Sequence, residues 1–188
     1  MKVMSIFGTR PEIIRLSRMF PLLDENFDHV MVNTNQNYTK ELNSIFFDQL
    51  KIRKPDYDLK IKTEAYGKEV AEIIIKSEDL LKKEQPDILL ILGDTNSGLA
   101  AIPASHQGIK IAHLEAGMRS YDSRMPEEKN RKLSGVITLK ANNYLDQVMA
   151  SNTVNFKDLP YMEQQILEKN LNVMTSVDYC SYDIASIR

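Results

Sequence analysis

Three polar clusters hold the residue types that proton transfer and anion binding require. They read Gly8-Thr9-Arg10-Pro11-Glu12, Gly93-Asp94-Thr95-Asn96-Ser97 and His113-Leu114-Glu115-Ala116-Gly117-Met118-Arg119. A fourth, Arg124-Met125-Pro126-Glu127-Glu128, follows shortly after the third. Carboxylates give or take protons when their surroundings tune them. Guanidinium groups hold anions in a planar fork. The first three clusters each stand where a strand should hand over to a helix. In an open parallel sheet such junctions line one edge, outside the carboxyl ends of the strands, where ligands of α/β proteins bind. Arginines and carboxylates distant in sequence are therefore expected to converge on one crevice.

The elements that must position them are read from periodicity. Residues 3–7 form an apolar run ending at Gly8, which suits a buried strand. Thr9 and Glu12 stand at capping-box spacing, with Pro11 in the first turn, where a missing N–H costs little. The following helix offers Ile13, Ile14, Leu16 and Leu23 for an inner face. Residues 29–32 read as a second strand. Residues 38–50 are amphipathic through Leu42, Ile45, Phe46 and Leu50. Residues 53–66 read as a loop with a short extended piece, and residues 68–84 as a longer helix with Val70, Ile73, Ile74 and Leu81 inward, stopped by Pro86. Residues 88–92 are continuously apolar between Pro-Asp and Gly-Asp, the pattern of a central parallel strand. A small-residue helix over 97–107 and a strand over 109–114 complete the alternation. The fold class predicted is α/β, a doubly wound parallel sheet with right-handed crossovers. Beyond residue 134 the pattern weakens: 133–137 and 144–150 each fit helix or strand, 162–174 offers a helical face in Ile166, Leu167 and Leu171, and 176–188 has no clear period.

The 188 residues suffice for a domain with its own core, and a formal net charge of -2 gives no reason to expect nucleic-acid binding. A single cysteine, Cys180, excludes an intrachain disulfide framework and a Cys-cluster metal site, and has no His or Lys neighbour to activate it. No stretch approaches eighteen apolar residues, so no membrane span is expected. The opening MKVMSIFG reads as a first strand rather than a signal peptide, which makes a cytoplasmic protein the default.

Each candidate has a plainer alternative. Arg10 can meet an anion together with backbone N–H groups of the helix start, or simply point outward from a capping box. Asp94 can be a cap or Asx turn, with Thr95 and Ser97 as competing caps. Glu127 and Glu128 can serve a helix N-terminus begun at Pro126. Glu115, at the carboxyl edge and followed by Ala-Gly, is hard to explain as packing. A metal bound by these carboxylates and His113 is the obvious rival, disfavoured because the arginines compete for the same carboxylates. His113 is expected in the core or crevice wall as a neutral residue, and His29 and His106 at the surface.

The segments GTRPEIIRLSR, LGDTNS and HLEAGMRSYDSRMPEEKNRK together resemble the N-terminal domain of the non-hydrolysing UDP-N-acetylglucosamine 2-epimerases, in the flavour of the capsule and O-antigen branch. The resemblance is collinear over about residues 1–133. It implies a Rossmann-like domain equivalent to one half of a two-domain, GT-B-like isomerase of surface polysaccharide synthesis. It implies a UDP-N-acetylhexosamine substrate, no cofactor and, on family grounds, a homodimer. Arg10 then faces the phosphates. Arg15 stands where related enzymes carry Lys, which keeps the charge but bears on substrate range. Asp94, Glu115 and Glu127 become the acid–base candidates. The resembled enzymes are thought to remove the C2 proton and expel UDP, giving a glycal to which UDP adds back after protonation of the opposite face. Two faces of one carbon need more than one such group. Carboxylates crowded into one crevice hinder one another's ionisation, so that some can act as acids while others act as bases.

Family members run to roughly twice this length, and their C-terminal Gly-His-Arg and Ser-Gly-Gly segments have no match here. Residues 134–188 are accordingly expected to be the remnant of a deleted second domain. Half a cleft is expected to give little or no epimerisation on its own. The rival assignments are one half of a two-domain glycosyltransferase and a non-catalytic interaction module.

Overall fold

The computed structural model describes residues 1–35, 47–61 and 65–141. Five parallel strands form one sheet: β1 (Lys2–Phe7), β2 (Asp28–Asn33), β3 (Tyr57–Asp58), β4 (Ile88–Leu92) and β5 (Lys110–Leu114), in the order β3-β2-β1-β4-β5. The helices are α1 (Arg10–Leu16), α2 (Met19–Asn26), α3 (Tyr66–Glu84), α4 (Ala101–His106) and α5 (Pro126–Ala141), with a 3-10 turn over Asn96–Ala100. This is the doubly wound arrangement. The chain runs outward from β1 to β3, then returns to the other side of β1 at β4. The strand order therefore reverses between β1 and β4, and the crevice of such a sheet opens there.

Register places the strand ends level. Ser5 lies opposite Leu90, and each of these strands ends two residues later, at Phe7 and Leu92. Leu92 in turn faces Leu114 at the end of β5. The polar clusters thus start side by side along one edge.

Alternation in fully covered strands divides the core into two layers. Val3, Phe7, Met31, Leu90 and Leu92 face Ile13 and Leu16 of α1 and Phe20 of α2, joined by Phe47 and Ile52. Met4, Ile6, Val30, Val32, Leu89 and Ile91 face Leu80 and Leu81 of α3 and Ala100, Ala101 and Ala104, with Ile137 of α5 packed against this layer. Burial on both faces explains the unbroken apolar runs.

Several expectations are refined. The first helix is two short helices, and Ile14 is exposed while Ile13 and Leu16 are buried. The break falls at Ser17 and Arg18, and Leu23 of the second piece still packs against the layer of Ile13 and Leu16. The small-residue helix opens as a 3-10 turn. Helix α3 ends at Gln85, whose left-handed φ of 47° caps it before Pro86. Residues 133–137 are helical, within α5. His29 is buried, not at the surface: its ring bonds Ser5 Oγ at 2.8 Å and Asp24 at 2.7 Å. A partner on the neighbouring strand, which sequence spacing does not reveal, lets a polar ring enter the core. Most of 38–50, the readings beyond Ala141 and Cys180 lie outside the described residues.

Candidate active site

Glu115 follows directly on β5 with φ 63°, a left-handed conformation disfavoured for a residue with a Cβ. Gly93 opposite adopts φ 70°, and its N–H bonds Leu114 C=O at 2.9 Å, continuing the β4–β5 ladder past the strand ends. A Cβ on Gly93 would stand 3.7 Å from Glu115 Oε2, ordinary van der Waals contact, so the positive φ rather than lack of space calls for glycine there. Arg15, one turn into α1, reaches across and donates from Nη1 to both Glu115 oxygens, at 2.8 and 2.7 Å. Two residues a hundred positions apart, one on each side of the switch point, are thus paired. The pair is part-open to solvent, as a ligand site must be.

Asp94, next after Gly93, is paired with Arg131 of α5. Asn130 Nδ2 donates to the Asp94 carbonyl and to Asn96 Oδ1, both at 2.9 Å. Helix α5 therefore grips the β4 loop by backbone and side chain at once. Glu128, one turn earlier on α5, is buried. It accepts from Arg119 Nε at 2.5 Å and from Ser120 N at 2.9 Å. Burial opposes its ionisation. The bonds from Arg119 and Ser120 outweigh that and hold its carboxyl at about 2. Glu128 is therefore a fixed anion. Glu127 beside it is exposed on the first turn of α5. One helical step separates a structural carboxylate from a solvent-facing one.

His113 lines the wall. Its Nε2–H donates to Gly93 C=O at 2.8 Å, and burial pushes its pKa below the ordinary value of 6.5. The ring is thus neutral near pH 7, as expected for a wall residue. Arg10 is half-buried at the start of α1. Just before the helix, Gly8 N and Thr9 N both donate to Glu12 Oε2, at 3.0 and 2.8 Å.

The arrangement brings Arg15 to Glu115 and sets Glu115 beside the loop of Asp94. An arginine stands against each of these two carboxylates, Arg15 against Glu115 and Arg131 against Asp94. Sequence reasoning missed Arg131 and Asn130, and gave Glu12 and Glu128 capping roles only. The spacing of Glu128 and Arg131, three apart on a helix, was the available signal. Among the described residues, no group of three or more His, Cys, Asp or Glu side chains is placed to hold a metal. Nor is any helix there long and apolar enough to cross a membrane.

The family model described as UDP-N-acetylglucosamine 2-epimerase matches residues 22–141. The chain belongs to this epimerase family. The UDP-N-acetylglucosamine 2-epimerase of Methanocaldococcus jannaschii is 38% identical over 188 aligned residues, covering 92% of the chain and 51% of the relative. The UDP-2,3-diacetamido-2,3-dideoxy-D-glucuronate 2-epimerase of Pseudomonas aeruginosa is 40% identical, covering 73% and 40%. The latter fits the capsule and O-antigen flavour of the motifs. Among solved structures, the M. jannaschii epimerase in complex with UDP-GlcNAc and UDP superposes with a TM-score of 0.70 at 40% identity, over 78% of this chain and 43% of that one. The chain spans about half the length, or less, of these relatives. Within the epimerase family the fold is thus one Rossmann-like half of a GT-B architecture, and the glycosyltransferase reading is not favoured.

Proposed function

We propose that this crevice acts on a UDP-linked N-acetylhexosamine in C2 epimerisation, in the cytoplasm and without a redox cofactor. The observation that carries the reading is the Arg15–Glu115 pair across the switch point, set beside the loop of Asp94. Arg10 and Arg15 are assigned to the diphosphate, which would compete with Glu115 for Arg15 and free that carboxylate for proton transfer. Asp94, Glu115 and Glu127 are assigned to acid–base work. One group removes the C2 proton as the C1–O bond to UDP breaks, leaving a glycal. Another returns a proton to the opposite face of C2 as UDP re-forms the bond to C1. Support comes from the epimerase relatives and from a superposing structure that holds UDP-GlcNAc and UDP.

Incubating the chain with UDP-GlcNAc in deuterium oxide and following C2 by NMR tests this. Deuterium uptake that disappears in Glu115→Gln and Asp94→Asn is the expected result. The rate should be low, because the described residues build one wall of a cleft and exclude water poorly. Tight UDP-GlcNAc binding with no C2 exchange would sink the acid–base assignment. Sugar transfer to an acceptor without exchange would favour a glycosyltransferase. A homodimer, expected on family grounds, is read from sedimentation.

A further inference from the structure

In phosphate-binding turns between a strand and a helix, the loop N–H groups point at the ligand. Here an internal anion takes that place. Glu12 Oε2 accepts from Gly8 N at 3.0 Å, Thr9 N at 2.8 Å and the Thr9 hydroxyl at 2.8 Å. A capping box accounts for this oxygen. It does not account for the other one. Glu12 Oε1 accepts from Thr95 Oγ1 at 2.9 Å and Ser97 Oγ at 2.6 Å, on the loop that follows β4. Glu12 is 1% exposed. One carboxylate therefore ties the loop bearing Arg10 to the loop bearing Asp94, across the point where the strand order reverses.

We propose that Glu12 is a positioning residue for the reaction. It fixes Arg10 and Asp94 relative to each other, and it does so by its reach rather than by its charge. This rests on the roles given to Arg10 and Asp94 under Proposed function. The chemistry of the partners makes the distinction between reach and charge. Glutamine has the same length. Its amide oxygen can take the Gly8 and Thr9 N–H groups, and its NH2 can donate to Thr95 and Ser97, whose hydroxyls accept as well as donate. Aspartate keeps the charge but is one methylene shorter. It can serve as a cap for Thr9 and Gly8, yet it cannot span to the second loop.

The test uses the full chain with Glu12→Gln and Glu12→Asp, and two measurements. Backbone amide spectra of the protein alone report the two loops. Calorimetry with UDP, and the rate of C2 exchange from UDP-GlcNAc, report the site. Glu12→Gln is expected to leave the amides of residues 94–98 in place and exchange within about 3-fold of the parent. Glu12→Asp should move those amides while sheet amides and melting temperature hold. It should also lower the turnover of exchange by about 10-fold or more with little change in KM, the pattern of misplaced groups rather than lost binding. Unmoved amides at 94–98 in Glu12→Asp, or equal disturbance by both variants, would overturn the proposal. A parent chain that neither binds UDP nor exchanges C2 counts against the proposed function instead, and the amide spectra still decide whether Glu12 couples the loops.

Discussion

Two polar networks sit at different places on the same sheet. At the carboxyl edge, Arg15 meets Glu115 and Arg131 meets Asp94, with every partner partly open to solvent. Within the α1–α2 layer, Ser5, His29 and Asp24 form a line joined at 2.8 and 2.7 Å, and Arg53 bonds Asp24 and Asp56 at 2.9 and 2.8 Å. By distance alone the second network looks more catalytic, since it has the Ser–His–Asp order of a nucleophilic triad. It is not one. Ser5 is fully buried inside β1, and the His29 ring lies against Phe20 at a centroid distance of 5.8 Å, so no substrate reaches the hydroxyl. Access, not spacing, separates a site from a scaffold.

The contrast extends to backbone conformation. The buried network costs the chain nothing at the strand residues that carry it, because they are extended. Glu115 holds a left-handed φ that glycine would adopt freely. Glu115 thus carries a charged side chain in a conformation that costs a residue with a Cβ, at the edge of the crevice.

Substitutions sharpen this division, and the largest effect belongs to the closed pair at the open edge. Glu128→Ala removes the carboxylate that compensates Arg119, whose side chain is 5% exposed. Urea unfolding should show a loss of about 3–5 kcal/mol, since a buried ion pair then loses one of its members. A loss below about 1 kcal/mol would place Glu128 with the surface pairs. Next, Ser5→Ala is expected to cost about 1–2 kcal/mol by leaving a buried ring nitrogen unbonded, with C2 exchange per folded molecule unchanged. Any selective loss of exchange would break the distinction between scaffold and site. Smaller still, Glu115→Gly should unfold about 1 kcal/mol later than Glu115→Ala, because only alanine pays for the left-handed φ. Both should lose exchange. If the alanine variant is equally stable, the strain assigned to Glu115 is absent.

The least of these effects concerns pH. Burial pushes His29 below its ordinary value of 6.5, against the pull of Asp24. The folded state therefore favours the neutral ring, while the unfolded chain takes up a proton near 6.5. Stability from this source is complete above that pH and declines as pH falls below it. His113, lowered by burial as well, adds in the same direction. Melting temperature should drop between about pH 7.5 and pH 5.5, with a shallower slope in His29→Gln. An unchanged slope in that variant would leave His113 as the source.

Much of the fold was legible because it follows from local physics. The run at 88–92 could be read as a doubly covered strand, since water is excluded from both of its faces. Strand–helix alternation then leaves few topologies. The edge positions of Asp94 and Glu115 were legible because junction loops of such a sheet share one edge, while Arg15 was named only through the family resemblance. The pairing among them was not. Nothing local to Arg15 shows that it meets Glu115, or that Asp94 meets a residue on a helix beginning thirty-two positions later, at Pro126.

What the sequence determined by itself is therefore the alternation, the edge at which chemistry gathers and the family to which the motifs belong. These depend on periodicity and on short polar segments, which are written in order along the chain. Only the tertiary structure decided that Glu128 is sealed in while Glu127 faces solvent, that His29 enters the core on the arm of Ser5, and that Glu12 spans two loops. Each of these outcomes rests on partners brought from other elements. The free energy of a buried polar group is set by those partners, not by its neighbours in sequence.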